Sequence, residues 1–126
     1  MKSKVKKKEV RRHGINDCFS DCIAFMFNIH PMNVPYFAGM KDYIKPSRRF
    51  FETRGHTIRP LPFLPEYLKS RKFHMVQGIS KRGKEHVVIY KGKKPHYDPN
   101  VKGGFLKKKP HTYWQIQALA KREKGE

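Results

Sequence analysis

The sequence predicts an α+β domain in which a helix near the N-terminus packs on an antiparallel sheet. Apolar side chains recur at positions i, i+3, i+4 and i+7 of the first apolar segment, namely Phe19, Cys22, Ile23 and Met26. That spacing is typical of a helix with one buried face. Residues 73–98 instead contain β-branched and aromatic segments separated by glycine-containing turns, which indicates a three-stranded antiparallel meander.

The first helix is predicted to begin at Cys18. Asn16 and Asp17 precede it, and both residue types accept hydrogen bonds from the free backbone N–H groups of a first helical turn. A cysteine at this end lies at the positive pole of the helix dipole, where a thiolate is favoured. Cys18 is therefore a candidate nucleophile, although a lone cysteine at a helix start is more often structural. Cys22 lies within the apolar stripe and is expected to be buried and inert.

A β-hairpin is predicted around Gly92, with residues 86–90 as one strand and residues 95–98 as the returning strand. A three-residue loop centred on Gly92 sets His86 and Asp98 opposite each other on one face of the sheet. A two-residue turn sets them on opposite faces. The spacing therefore permits a His–Asp pair without requiring one.

Prolines and glycines predict where the helices begin and end. Pro31 and Pro35 are expected to stop the first helix, because proline cannot continue it. Pro46 is expected to begin a second helix, Ser47–Arg54, which Gly55 closes.

The remaining segments are short. His56–Arg59 is predicted to be a strand that Pro60 interrupts, and Pro65 to open a short helix, Glu66–Lys72. Thr112–Ala120 alternates in polarity, which suits a strand, while its alanine-rich end suits a helix; we favour the strand.

The chain is strongly basic. Its 126 residues carry a formal net charge of +19, with a pI of about 10.2. We expect a basic flexible arm at residues 1–12, a single domain at 13–120 and a frayed tail at 121–126. Such a charge favours an anionic partner, which could be nucleic acid, an anionic cell-wall polymer, a membrane surface or an acidic protein.

Several classes of protein are disfavoured by what the sequence lacks. No run of about 18 apolar residues predicts a membrane span, and the basic N-terminus has no apolar segment of a secretory signal. The two cysteines are too few for a disulfide scaffold, and their Cys-x3-Cys spacing is unusual for zinc ligands. We therefore expect no metal, no cofactor and a reducing, cytoplasmic setting.

Two motifs together carry a family resemblance. Asp-Cys-x-x-x-Cys-x-Ala at a helix start, followed downstream by His-x-Val and Asp-Pro, resembles the papain-like cysteine peptidases. It is most similar to the C39 bacteriocin-processing peptidases and the small C39-like proteins of bacteria and phages. The matching positions are Asp17, Cys18, Cys22, Ala24, His86, Val88, Asp98 and Pro99. The resemblance spans roughly residues 13–105 and implies a papain-like fold, with the host cytoplasm as the location if a phage encodes the protein.

The resemblance implies a cysteine hydrolase that cleaves a peptide or another amide bond. Cys18 would be the nucleophile, His86 the general base, and Asp98 the residue that orients the imidazole. His96, two residues before Asp98, is the reserve base. The implied partner is a peptide or protein substrate.

The oxyanion hole is where the chain departs from the family. The family places a glutamine about six residues before the nucleophile, and the corresponding position here is Arg12 or, with a one-residue slip, His13. Arg12, His13 and Asn16 are therefore candidates for the second donor, beside the backbone N–H of Cys18. Without a glutamine, an alternative function remains open. In this alternative, the chain is a catalytically weak or inactive papain-like basic module that binds nucleic acid or an acidic partner protein. A third alternative is an inhibitor or host-takeover protein that acts by binding alone.

Overall fold

The fold, taken from a computed structural model, is α+β, and the structure describes residues 18–37, 40–100 and 103–119. Two helices, α1 (Cys18–Phe27) and α2 (Ile44–Glu52), come before a five-stranded antiparallel sheet in the chain. The strands are β1 (His56–Pro62), β2 (Phe73–Ile79), β3 (Glu85–Lys91), β4 (Lys94–Tyr97) and β5 (Thr112–Ala118), in the spatial order β1-β5-β2-β3-β4. The predicted fold class is confirmed at this level. The predicted arm and tail lie outside the described residues.

The end of α1 is set by Asn28, and not by the prolines that the sequence pointed to. Asn28 adopts a left-handed conformation with φ of 56°. Its N–H donates to the Phe25 carbonyl at 3.1 Å, and the Ile29 N–H donates to the Ala24 carbonyl at 3.0 Å. This pair of bonds is a Schellman motif, which satisfies carbonyls at a helix C-terminus. Pro31 instead begins a 3-10 turn, Pro31–Asn33.

The second helix lies slightly earlier than predicted. It begins at Ile44, so Pro46 is its third residue and not the residue before it. Proline is tolerated there because the first N–H groups of a helix have no partner within the helix. The helix ends at Glu52, and Gly55 follows with φ of 79°.

The predicted interruption of β1 at Pro60 is wrong, because the strand continues to Pro62. Among the described strands, β1 lies at the edge of the sheet and pairs only with β5. The Ile58 carbonyl points away from β5 and accepts a hydrogen bond from Arg48 Nε at 3.3 Å, and the main chain of Pro60 and Pro62 has the same orientation as that of Ile58. The missing proline N–H groups therefore fall on the side where the described part of the sheet has no next strand.

The hairpin between β3 and β4 has a two-residue turn and not the predicted three-residue loop. Lys91 pairs with Lys94, and Gly92 at the first central position has φ of 60°, which is the requirement of a type II′ turn. The register then shifts, because Tyr90 pairs with Pro95 but Ile89 pairs with Tyr97.

That shift places one extra residue, His96, in β4 as a β-bulge. A two-residue turn alone would put His86 and Asp98 on opposite faces of the sheet. The extra residue reverses the alternation beyond it, so Asp98 follows Tyr97 onto the same face as Val88 and His86. The bulge thus produces the shared face that the sequence analysis assigned to a longer loop.

The sheet is covered on both faces. α1 packs through Phe19 and Ile23 on one face, against Met75, Ile89 and Trp114. The opposite face is covered by a smaller cluster that includes Leu68, Val76, Val88, Phe105 and Leu106. Burial on both faces explains why His74, Met75 and Val76 are all buried in succession.

The last strand and a short turn before β2 complete the described fold. The segment from Thr112 is a strand, as predicted, and ends at Ala118. The helix predicted at Glu66–Lys72 is instead a 3-10 turn, Pro65–Leu68. Across the described part of the chain, neither helix has the length and apolar character that a bilayer crossing requires.

Candidate active site

Asp98 is held by three hydrogen bonds at the end of β4. Its Oδ1 accepts from His86 Nε2 at 2.7 Å and from the backbone N–H of Asn100 at 2.8 Å. Its Oδ2 accepts from the backbone N–H of Phe105 at 2.9 Å. Burial alone would raise the pKa of this carboxyl, but these donors and the charge of His86 outweigh burial and lower the pKa. Asp98 is therefore an anchored carboxylate.

His86 is almost fully buried, with 1% of its surface exposed. Burial by itself would lower the pKa of the imidazole, whereas the Asp98 hydrogen bond and the neighbouring Cys18 thiol raise it, to about 9 overall. Because Nε2 is bound to Asp98, Nδ1 is the nitrogen left for other chemistry. Among the described residues, Nδ1 has no partner that satisfies hydrogen-bond geometry.

The Cys18 sulfur lies beside His86. Its Sγ accepts a hydrogen bond from the backbone N–H of Val87 at 3.3 Å, and Val87 is the residue next to His86. One turn along α1, the Cys22 thiol donates to the Val87 carbonyl at 3.4 Å. Cys18 is partly exposed, whereas Cys22 is fully buried, as predicted.

The end of β4 explains why two sulfurs bind Val87. In a strand, the N–H and C=O of one residue point to the same side, and at Ile89 that side faces Tyr97 of β4. Val87 has the same orientation, but β4 stops at Tyr97, so no strand among the described residues remains to pair with it. The two cysteines, one helical turn apart, satisfy both main-chain groups instead. The Cys-x3-Cys spacing does not by itself indicate this structural role, because it depends on where β4 ends.

The supports of Asp98 were also missed. The hydrogen bond from the Asn100 N–H to Asp98 Oδ1 links residues i and i+2, a common arrangement for aspartate in turns. The Asp-Pro-Asn sequence is the local pattern that indicates such a turn. The bond from Phe105 joins segments without regular structure, and no local pattern indicates it.

Of the other predicted site residues, His96 is described by the structure and takes no part in this arrangement. His96, the reserve base, is exposed, and its ring packs 4.9 Å from Phe73 and 5.8 Å from Phe25 between ring centroids. The oxyanion-hole candidates Arg12, His13 and Asn16 lie outside the described residues. Within residues 18–37, 40–100 and 103–119, no cluster of three or more histidine, cysteine or acidic side chains could hold a metal ion.

A cleft of about 530 Å³ lies elsewhere, where β2 and β5 diverge. Met26 and Phe27, at the end of α1 opposite Cys18, line it together with Lys72, His74 and Tyr113. None of Cys18, His86 and Asp98 lines this cleft. Its volume is therefore separate from the Cys–His–Asp arrangement.

The described residues thus join a partly exposed thiol, an imidazole with a raised pKa and an anchored carboxylate. Perturbed titratable groups in such a cluster are typical of functional sites. Comparison of the chain with protein-family models, with curated proteins and with solved structures finds no match. The function is therefore inferred from the chemistry of these side chains.

Proposed function

We propose that the protein is a cysteine hydrolase that cleaves a peptide or another amide bond by acyl transfer through Cys18, His86 and Asp98. The observation that carries the proposal is the buried 2.7 Å hydrogen bond between His86 and Asp98, with the Cys18 sulfur held at the adjacent Val87. A nucleophile beside a base that a third group orients is the general arrangement of nucleophilic catalysis.

In the proposed reaction, the Cys18 thiolate attacks the amide carbonyl carbon and forms a C–S bond. His86, which holds the thiol proton on Nδ1, donates it to the leaving amine as the C–N bond breaks. Water then attacks the thioester, His86 accepts a proton from that water, and the C–S bond breaks to release the acid. Asp98 keeps Nε2 protonated throughout, so Nδ1 is the nitrogen that exchanges the proton.

The negative oxygen of the tetrahedral intermediate needs donors. The backbone N–H of Cys18, the first residue of α1, is the donor we assign, because N–H groups of a first helical turn have no partner within the helix. Arg12, His13 and Asn16 remain candidates for a second donor. The packing of α1 on the sheet that carries His86 supports a papain-like arrangement, which is part of the proposal.

Incubation of the purified protein with a proteome-derived peptide library tests the proposal. New carboxyl termini, identified by mass spectrometry, are expected with the wild type and absent with Cys18→Ala. Cys22→Ala, a matched change one turn along α1, should retain cleavage. Cleavage that survives in Cys18→Ala, or no cleavage by any of the three proteins, would contradict the assignment.

A second candidate is a basic module that binds nucleic acid or an acidic partner protein without turnover. The net charge of +19 favours it. Binding to duplex DNA, measured by fluorescence anisotropy, should then weaken steeply with salt, because phosphate contacts release counterions. We favour this candidate if the protein does not cleave the peptide library and iodoacetamide does not modify Cys18 faster than Cys22.

A further inference from the structure

Two exposed basic segments lie at one end of the sheet. One is the turn between β2 and β3, and the other follows Phe105. Together their six cationic side chains form what we call the basic rim: Lys81, Arg82, Lys84, Lys107, Lys108 and Lys109. All six are exposed.

Main-chain contacts hold the two segments together. Ser80 and Leu106 form an isolated antiparallel bridge, and the Lys107 N–H donates to the Ile79 carbonyl at 2.8 Å. The turn itself is closed by a hydrogen bond from the Ser80 N–H to the Lys84 carbonyl, also at 2.8 Å. The rim is therefore a fixed surface of the fold, although it comes from segments more than twenty residues apart.

The charges of the rim are not compensated locally. Within the described part of the chain, none of the six side chains forms an ion pair or a hydrogen bond. The adjoining carboxylate, Glu85, is instead bound by Gln77 Nε2 and His111 Nε2, each at 2.9 Å. Six like charges without partners repel each other, and an anionic ligand relieves that repulsion.

Both segments of the basic rim lie close in sequence to residues of the Cys–His–Asp arrangement or to residues that bind it. Lys84 lies two residues before His86, and Lys107 lies two residues after Phe105, whose N–H binds Asp98. Two residues of extended chain span about 7 Å, which is within reach of a lysine side chain. The rim therefore borders the strand that carries His86 and the segment that binds Asp98.

We propose that the basic rim binds acidic side chains of a polypeptide substrate and so positions a nearby amide bond at Cys18. This inference rests on the proposed hydrolase function and names its substrate class. An acidic polypeptide supplies both the anionic groups for the rim and the amide for the thiol. The rim segments, residues 80–84 and 106–109, contain no aromatic side chain, so they offer no surface on which single-stranded bases could stack.

The test uses a fluorescein-labelled glutamate-rich peptide, and the same peptide with glutamine at every glutamate. Binding is measured by anisotropy in the Cys18→Ala background, so that turnover cannot interfere. The rim variant is Lys107→Glu with Lys108→Glu. The matched control is Lys93→Glu with Lys94→Glu, which changes the net charge equally at exposed positions beyond the opposite end of β3.

We expect the rim variant to bind the glutamate-rich peptide about tenfold more weakly, and the control variant to lose less than about twofold. An equal loss in both variants would overturn the inference, since binding would then follow net charge alone. Tighter rim-dependent binding of duplex DNA at the same salt concentration would overturn it in favour of nucleic acid.

Cleavage separates this inference from the proposed function. With Cys18 present, the glutamate-rich peptide should be cleaved faster than its glutamine counterpart, and the rim variant should remove that difference. Equal cleavage of both peptides overturns the substrate class while the hydrolase stands. Rim-dependent binding with no cleavage by Cys18 refutes the hydrolase and supports the rim as a site for acidic polypeptide.

Discussion

His86 Nε2 and Asp98 Oδ1 lie 2.7 Å apart, in side chains that are 1% and 0% exposed. His86 lies in β3 and Asp98 directly follows β4, the other strand of the same hairpin, and the bulge at His96 brings the two side chains to the same face. A buried hydrogen bond of this length between an imidazole and a carboxylate is of the charge-assisted kind. It fixes Nδ1 of His86 as the nitrogen available to Cys18.

Replacement of His86 by alanine should slow the alkylation of Cys18 at neutral pH. Because the pKa of His86 is raised to about 9, the imidazole is protonated at neutral pH and places a positive charge beside the Cys18 sulfur. In the wild type, iodoacetamide should therefore modify Cys18 faster at neutral pH than in His86→Ala, and this difference should shrink as the pH rises through about 9. The measurement is the rate of Cys18 modification between pH 5 and pH 10, followed by mass spectrometry. His96→Ala is the matched control, and a profile unchanged in His86→Ala would show that the two groups are not coupled.

Replacement of Asp98 by asparagine should lower the free energy of unfolding at neutral pH by about 1–3 kcal/mol. An amide has one accepting oxygen, so its NH2 group must face either the Phe105 N–H or the donors of Oδ1. The folded-state pKa of Asp98 lies below the ordinary value of 3.8, so its contribution is present above that value and is lost as the pH falls through the folded pKa. Urea unfolding should therefore show a difference between the two proteins at pH 7 that shrinks in acid. A difference independent of pH would argue against an ionised Asp98.

Replacement of Cys22 by alanine should cost stability and leave the reactivity of Cys18 unchanged. Cys22 is fully buried, and its thiol donates to the Val87 carbonyl. Loss of a buried atom and of one weak hydrogen bond should lower the free energy of unfolding by about 1 kcal/mol. Urea unfolding and iodoacetamide labelling of Cys18 are the two measurements. If labelling of Cys18 is abolished while the fold survives, the assignment of the nucleophile is wrong.

Replacement of Gly78 by alanine should disturb the segment that supports Asp98. A Cβ atom at this position would lie 3.0 Å from Leu106 Cδ1 and 3.2 Å from Pro110 Cα. The Leu106 side chain can rotate away, but the Pro110 backbone must move, so we expect a loss of about 1–3 kcal/mol in unfolding free energy. Ile79→Ala, at the exposed neighbouring position, is the control. Because Phe105 belongs to the displaced segment, Gly78→Ala should also slow Cys18 alkylation at neutral pH; unchanged stability would show that the segment adjusts freely.

Local sequence was sufficient to predict the type of an element where one residue pattern dominated the segment. The apolar stripe of α1 and the β-branched residues of β3 each specify one kind of element, and the structure contains both. The ends of the helices and strands were less predictable, because more than one neighbouring residue could end each element. Asn28 ends α1 before the prolines can, and the edge position of β1 tolerates Pro60. A single sequence does not reveal which strand is at the edge of a sheet.

Local patterns in the sequence are sufficient to predict that the chain is α+β, that Cys18 begins a helix, and that His86 and Asp98 lie at the two ends of one hairpin. That the two side chains share a face depends on the three-dimensional pairing of β3 and β4, because the alternation of β4 is reversed by one bulged residue whose position the turn type alone does not specify. The same pairing ends β4 before Val87, which leaves two main-chain groups for the cysteine sulfurs. These are long-range pairings, between residues up to sixty-nine positions apart, and no local propensity encodes them.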